Sequence, residues 1–98
     1  MSEELHPNWC ARAVCTAYSP EMDEYHRSEP FVVQTDDPRV NLFISKVADP
    51  DGTKEHIEIV ELEVGDTSRP WHLREPIREM FLPRASADAA WRAMAELV

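Results

Sequence analysis

The stretch that decides the fold is Val40-Asn-Leu-Phe-Ile-Ser-Lys-Val47, followed by Asp49-Pro50-Asp51-Gly52 and then by the run from His56 to Val64. Val40, Leu42 and Ile44 alternate with Asn41, Phe43 and Ser45, the pattern of a strand with one face against a core. A proline followed by Asp-Gly suits a tight reversal, because proline pre-sets φ and glycine tolerates positive φ. The chain is therefore predicted to return from His56 to Val64 as the second arm of an antiparallel hairpin. Its apolar set, Ile57 and Ile59, then Val60, Leu62 and Val64, shifts phase by one residue. That shift predicts either a β-bulge near Ile59-Val60 or a strand covered on both faces. Glu55, Glu58, Glu61 and Glu63 read as a solvated acidic edge that discourages edge-to-edge pairing. The alternative is a surface for a basic partner, such as the DNA-facing side of a transcription or sigma factor.

Upstream, Phe31-Val-Val-Gln-Thr35 is β-like and is stopped by Asp36-Asp37-Pro38. Downstream, Pro70, Pro76 and Pro83 forbid a long helix and leave room for short pieces at Trp71-His-Leu and at Ile77 to Leu82. Trp71, Met80 and Phe81 there are candidates for the chain's own core, a dimer interface or another partner. The end of the chain, 86–98, is predicted to be helical, with Ser86 as N-cap and Asp88 near the positive end. Ala90, Trp91, Met94, Leu97 and Val98 fall on one stripe, which has to pack on the sheet or on another copy of the chain.

The chain has 98 residues, with 10 Lys+Arg against 19 Asp+Glu, and a formal net charge of −9. That balance argues against a protein whose affinity comes from neutralising phosphates or an anionic membrane. Arg74, Arg78, Arg84 and Arg92 are scattered singly; they are expected to pair with local carboxylates rather than to form a basic face. No apolar run approaches the ~18 residues needed to span a bilayer, so a soluble chain is expected. Its first residues lack the basic and apolar regions of a secretory signal, which makes a reducing cytoplasm the expected setting. A chain this short buries only about 60–65% of its unfolded surface, so a metal or a partner is expected to supplement its core.

His6, Cys10, Cys15 and His26 lie in a segment with neither helical nor alternating periodicity, spaced His-x3-Cys-x4-Cys-x10-His. Two thiolates and two imidazoles suit tetrahedral Zn2+ and balance its charge. Pro7 stiffens the first loop, and Trp9 is a candidate shield. Two other readings stay open: small buried thiols beside ordinary histidines, or a Cys10–Cys15 disulfide. His56 or His72 could replace His6 as fourth ligand. If His6 is not a ligand, a Cys10, Cys15, His26 site could keep a water as catalytic zinc does. A thiol–imidazole dyad is a further possibility. No His-Glu-x-x-His is present, and no enzymatic activity is expected.

His6-Pro-Asn-Trp-Cys10, then Cys15, then His26-Arg-Ser28, resembles the Cys/His-Pro-x-Trp-Cys and His-x-Ser pattern of the BldB-like family of small streptomycete developmental regulators. The resemblance implies a homodimeric, cytoplasmic, non-enzymatic regulator of aerial growth and antibiotic production. His6 stands where many relatives have cysteine. The expected fold is thus small α+β: an N-terminal zinc knuckle, a three- to four-stranded antiparallel sheet and one C-terminal α-helix across it. Residues 1–98 would form a single domain, divided into an arm (1–5), the knuckle (6–30), antiparallel strands (31–64), an irregular or short-strand stretch (65–83) and the helix (86–98). The expected mode of action is protein–protein contact with a transcription or sigma factor. The alternative is a dimeric zinc module that binds DNA directly.

Overall fold

The computed structural model describes residues 6–18, 25–65 and 69–98; the expected arm at 1–5 and part of the expected knuckle lie outside them. The hairpin is the centre of the molecule. β3 (Val40–Ala48) and β4 (His56–Glu63) pair antiparallel in unbroken register from Val40–Glu63 to Val47–His56. Gly52 sits at φ 82° in the turn, with its amide donating to the Asp49 carbonyl at 2.8 Å, as the Pro-Asp-Gly sequence predicts.

Three further strands extend the hairpin into one antiparallel sheet. β5 (Arg78–Pro83) pairs with β4, while β1 (His26–Arg27) and β2 (Phe31–Gln34) pair with successive halves of β3. β1 adds a strand to the three or four expected. Because β4 is flanked on both sides, it is not an edge, and Glu58 is buried rather than solvated. The expectation of an exposed glutamate row fails there because Arg27, 31 residues away, is brought in to neutralise the carboxylate.

The unbroken register also removes the expected bulge at Ile59-Val60. Residues paired across strands share a face. One face therefore carries Arg27, Phe43, Ser45, Val47, Glu58, Val60 and Leu62, and the other carries Phe31, Val33, Val40, Leu42, Ile44, Ile57, Ile59 and Met80. The phase shift in β4 records apolar residues on both faces.

The first face is the covered one. A single 3-10 turn at Trp71–Leu73 lies over it, with the Trp71 ring stacked on Phe43 at 5.2 Å between centroids. Val47, Val60 and Leu62 are buried on this face. The second face is open: Val40, Leu42 and Ile44, expected to be the core side of β3, are only half-buried. Alternation correctly separates the two faces of β3, but it does not say which one the rest of the chain covers.

Helix α1 (Arg84–Leu97) starts directly after β5, with Pro83 as its cap. The expected start at Ser86 is thus corrected by two residues. Pro83, held at φ −53° and ψ 148°, is the last extended residue, and no side-chain hydrogen bond caps the helix. Ala87 and Ala90 are half-buried, whereas every residue from Trp91 onward is exposed. The helix touches β5 and β4 and leaves its second half bare instead of crossing the sheet, in a molecule 49 Å long and 18 Å thin.

Candidate metal centre

Local backbone bonds gather the four donors. The Cys10 amide donates to the Pro7 carbonyl at 3.0 Å, a turn that brings His6 and Cys10 to the same side. A 3-10 turn at Arg12–Val14 then carries the chain to Cys15. On either side of it, the Ala11 amide donates to the Arg27 carbonyl at 2.8 Å and the Thr16 amide to the Tyr25 carbonyl at 3.0 Å. The 10–16 segment is thereby held against 25–27, which presents His26.

One potential ligand atom from each of His6, Cys10, Cys15 and His26 lies within 4.8 Å of all the others. His6 Nδ1 is 3.3 Å from Cys10 Sγ and 3.6 Å from Cys15 Sγ, and Cys15 Sγ is 3.6 Å from His26 Nδ1. Both histidines thus turn Nδ1 to the sulfurs. His26 Nε2–H donates to the Pro50 carbonyl at 2.9 Å, which leaves its Nδ1 lone pair directed at the cluster. Burial pushes the Cys10 thiol pKa up, opposed by a bond from the Arg27 backbone; the adjacent Cys15 thiol pushes it further up. A divalent cation between the sulfurs reverses that cost, since coordinated thiols deprotonate. The group can hold a metal ion.

All four residues singled out in the sequence are therefore brought together, and both cysteines are free of disulfide. The two substitute ligands are not part of the group. His56 Nδ1–H donates to the Lys54 carbonyl at 2.7 Å, and His72 lies on the opposite face of the sheet. The expected shield, Trp9, instead carries the Lys46 ammonium 4.8 Å from its ring centre. Tyr18 takes the shielding place, edge-on to His6 at 5.5 Å and to His26 at 5.7 Å. Neither Tyr18 nor Pro50 has a signal in the sequence, because their roles come from the fold.

On the covered face, a bidentate ion pair joins Arg27 Nε and Nη2 to the two Glu58 oxygens at 3.3 and 3.2 Å. The Arg27 guanidinium lies 5.8 Å from the Trp71 ring centre. Beside it, a pocket of about 150 Å³ is lined by His72, Arg74 and Glu79 as well as by the pair. Burial, and then the charge of Arg27, lowers the pKa of His72, whose buried Nδ1 is unpartnered. Arg78, Arg84 and Arg92 pair with Glu61, Glu55 and Asp88, as expected, and Arg74 donates to backbone carbonyls.

Fold and site together define a small α+β protein with a His2Cys2 group able to hold a metal at one corner of its sheet. Comparison with protein-family models, with curated proteins and with solved structures finds no match. Among the described residues, no helix is long and apolar enough to cross a membrane.

Proposed function

We propose that this chain is a non-enzymatic, zinc-containing regulatory protein that acts as a homodimer through protein–protein contacts. Its regulatory partner would be a transcription or sigma factor. The role in differentiation and antibiotic production is the one the family resemblance implies.

The observation that carries the reading is the closure of the donor set. A tetrahedral ion with bonds of about 2.3 Å to sulfur and 2.0 Å to nitrogen separates neighbouring donors by roughly 3.5 Å. Three sulfur–nitrogen separations here are 3.3 to 3.6 Å, and all four donors lie within 4.8 Å of one another, a spread that a bound ion would draw in slightly. Four protein donors leave no position for a reacting water, which favours a structural zinc over a catalytic one. Such an ion contributes its binding free energy to folding. An apolar sheet face beside this corner supports action by contact. Against direct DNA binding, Arg27, Arg39, Lys46, Arg78, Arg84 and Arg92 each face a carboxylate.

Inductively coupled plasma mass spectrometry on protein purified without added metal tests the site; one equivalent of zinc is expected. Less than half an equivalent, together with unchanged folding after chelation, overturns the zinc reading. Affinity purification with crosslinking, with Cys10→Ser as control, tests the mode of action. A transcription or sigma factor lost in the control supports it, and recovery of DNA alone favours the alternative.

A further inference from the structure

The open face of the sheet and the outer half of α1 are the two large apolar surfaces that the described chain leaves uncovered. Across four strands the register sets Phe31, Ile44, Ile59 and Met80 side by side, with Phe31 78% and Met80 54% exposed. Along the helix, the stripe that begins with half-buried Ala87 and Ala90 continues past the sheet as Trp91, Met94 and Leu97, which are 66%, 50% and 86% exposed. A sheet face and an amphipathic helix are complementary layers, each of which needs the other kind of surface or its own.

The chain cannot bring its own two surfaces together. β5 ends at Pro83 and α1 begins at Arg84, with no residue between them. Folding a helix back over the strand it follows takes a connection of about 2–6 residues, and Pro83 is further restricted by its ring. A rigid junction of this kind delivers the helix to a second molecule.

Charge also admits a second copy. Helix residues 84–98 contain Arg84 and Arg92 against Asp88 and Glu96, so their side chains sum to zero in a chain of −9. The charged residues of the open face, Lys46 and Arg78 against Glu55, Glu61 and Glu63, sum to only −1, and Glu55 is bridged to Lys46 and to Arg84 of the helix. The two surfaces are close to neutral on an otherwise acidic molecule. A single large aromatic buries about 150–250 Å². Reciprocal covering of both faces and both stripes removes on the order of 1,200 Å² or more, the size of a stable dimer interface.

We infer that α1 of one copy lies across the open sheet face of a second copy, and reciprocally, in a two-fold dimer. The inference rests on the homodimer reading above and assigns its surfaces: Trp91, Met94 and Leu97 from one subunit, Phe31, Ile44, Ile59 and Met80 from the other. In this arrangement the metal corner, with Trp9 over Lys46 on the same face, borders the interface.

Sedimentation velocity and isotope-filtered nuclear Overhauser spectroscopy on the zinc-loaded full chain test it. Mixing labelled and unlabelled protein is expected to give intermolecular contacts from the Met94 methyl and the Trp91 ring to the Ile44 and Ile59 methyls. Trp91→Ala and Met80→Glu both alter exposed side chains that the fold does not need, and each is expected to weaken dimerisation about thirtyfold or more. A monomer at micromolar concentration overturns the inference together with the homodimer reading. A dimer that ignores both substitutions, or whose intermolecular contacts avoid the open face, overturns the inference and leaves the homodimer reading standing.

Discussion

Replacing Glu58 with glutamine keeps the shape of the side chain and removes its charge, which makes it a direct probe of the buried pair. Both side chains are nearly out of solvent, 9% exposed for Arg27 and 6% for Glu58, and the contact is bidentate. Ser45 Oγ–H adds a bond to Glu58 Oε1 at 3.5 Å. Glu58→Gln therefore leaves the Arg27 charge buried without its counter-ion, a loss of about 3–5 kcal/mol. A chain of this length has a total stability of about 5–15 kcal/mol, so the change removes a large share. The midpoint should fall by about 12 °C or more, at roughly 4–8 °C per kcal/mol for a domain of this size. Urea unfolding of the metal-loaded protein measures it directly. The double replacement Arg27→Met with Glu58→Leu should recover most of the loss, because two apolar groups fill the site with no charge to desolvate. A cost below about 1 kcal/mol for Glu58→Gln at unchanged slope would refute the reasoning, since it would mean that water screens the pair. A double variant less stable than the single one would refute it too.

Chelation of the metal, or Cys15→Ser, should release the 6–18 segment from 25–27 and lower stability by several kcal/mol, read as loss of amide exchange protection at Ala11 and Thr16. Acid should destabilise the protein in steps. The lowered pKa of His72 means that the unfolded state binds its proton first, so stability falls as pH drops below about 6.5; His72→Gln should flatten that part of a pH–stability curve. Asp37, Asp51 and Glu55 are also held below the usual carboxylate range, by Arg39, by Thr53 and by Lys46 in turn. Their contribution is present above the unfolded pKa of about 4 and is lost as pH falls through the lower folded values. Gly52→Ala should cost about 1 kcal/mol by denaturation. Nothing lies within 4 Å of the added carbon, so the whole effect comes from φ +82°.

The hairpin was legible because Pro50-Asp51-Gly52 and the alternation of β3 are local signals, and the metal donors were legible because all four fall within one short segment. What was not legible depends on distant residues. Alternation places Val40, Leu42 and Ile44 on one face, but the 3-10 turn at Trp71–Leu73 covers the other. Glu58 looks like its three neighbouring glutamates until Arg27 arrives from the first part of the chain. Ser86 has the chemistry of an N-cap, yet Pro83 ends the strand first. Tyr18 and Pro50 acquire their places at the metal centre only once the hairpin has closed.

The bond from His26 to the Pro50 carbonyl ties the order of events in folding to the metal. Three donors lie within ten residues of one another, so a loose capture by His6, Cys10 and Cys15 needs only loop closure on the order of 10–100 ns. His26 is different: its tautomer is fixed by a carbonyl 24 residues further on, in the turn between β3 and β4. Final coordination should then come late, after the hairpin closes, and metal-uptake rates should report that closure. A substitution in the 49–52 turn, far in sequence from every ligand, should slow the last phase of metal uptake while leaving the first untouched.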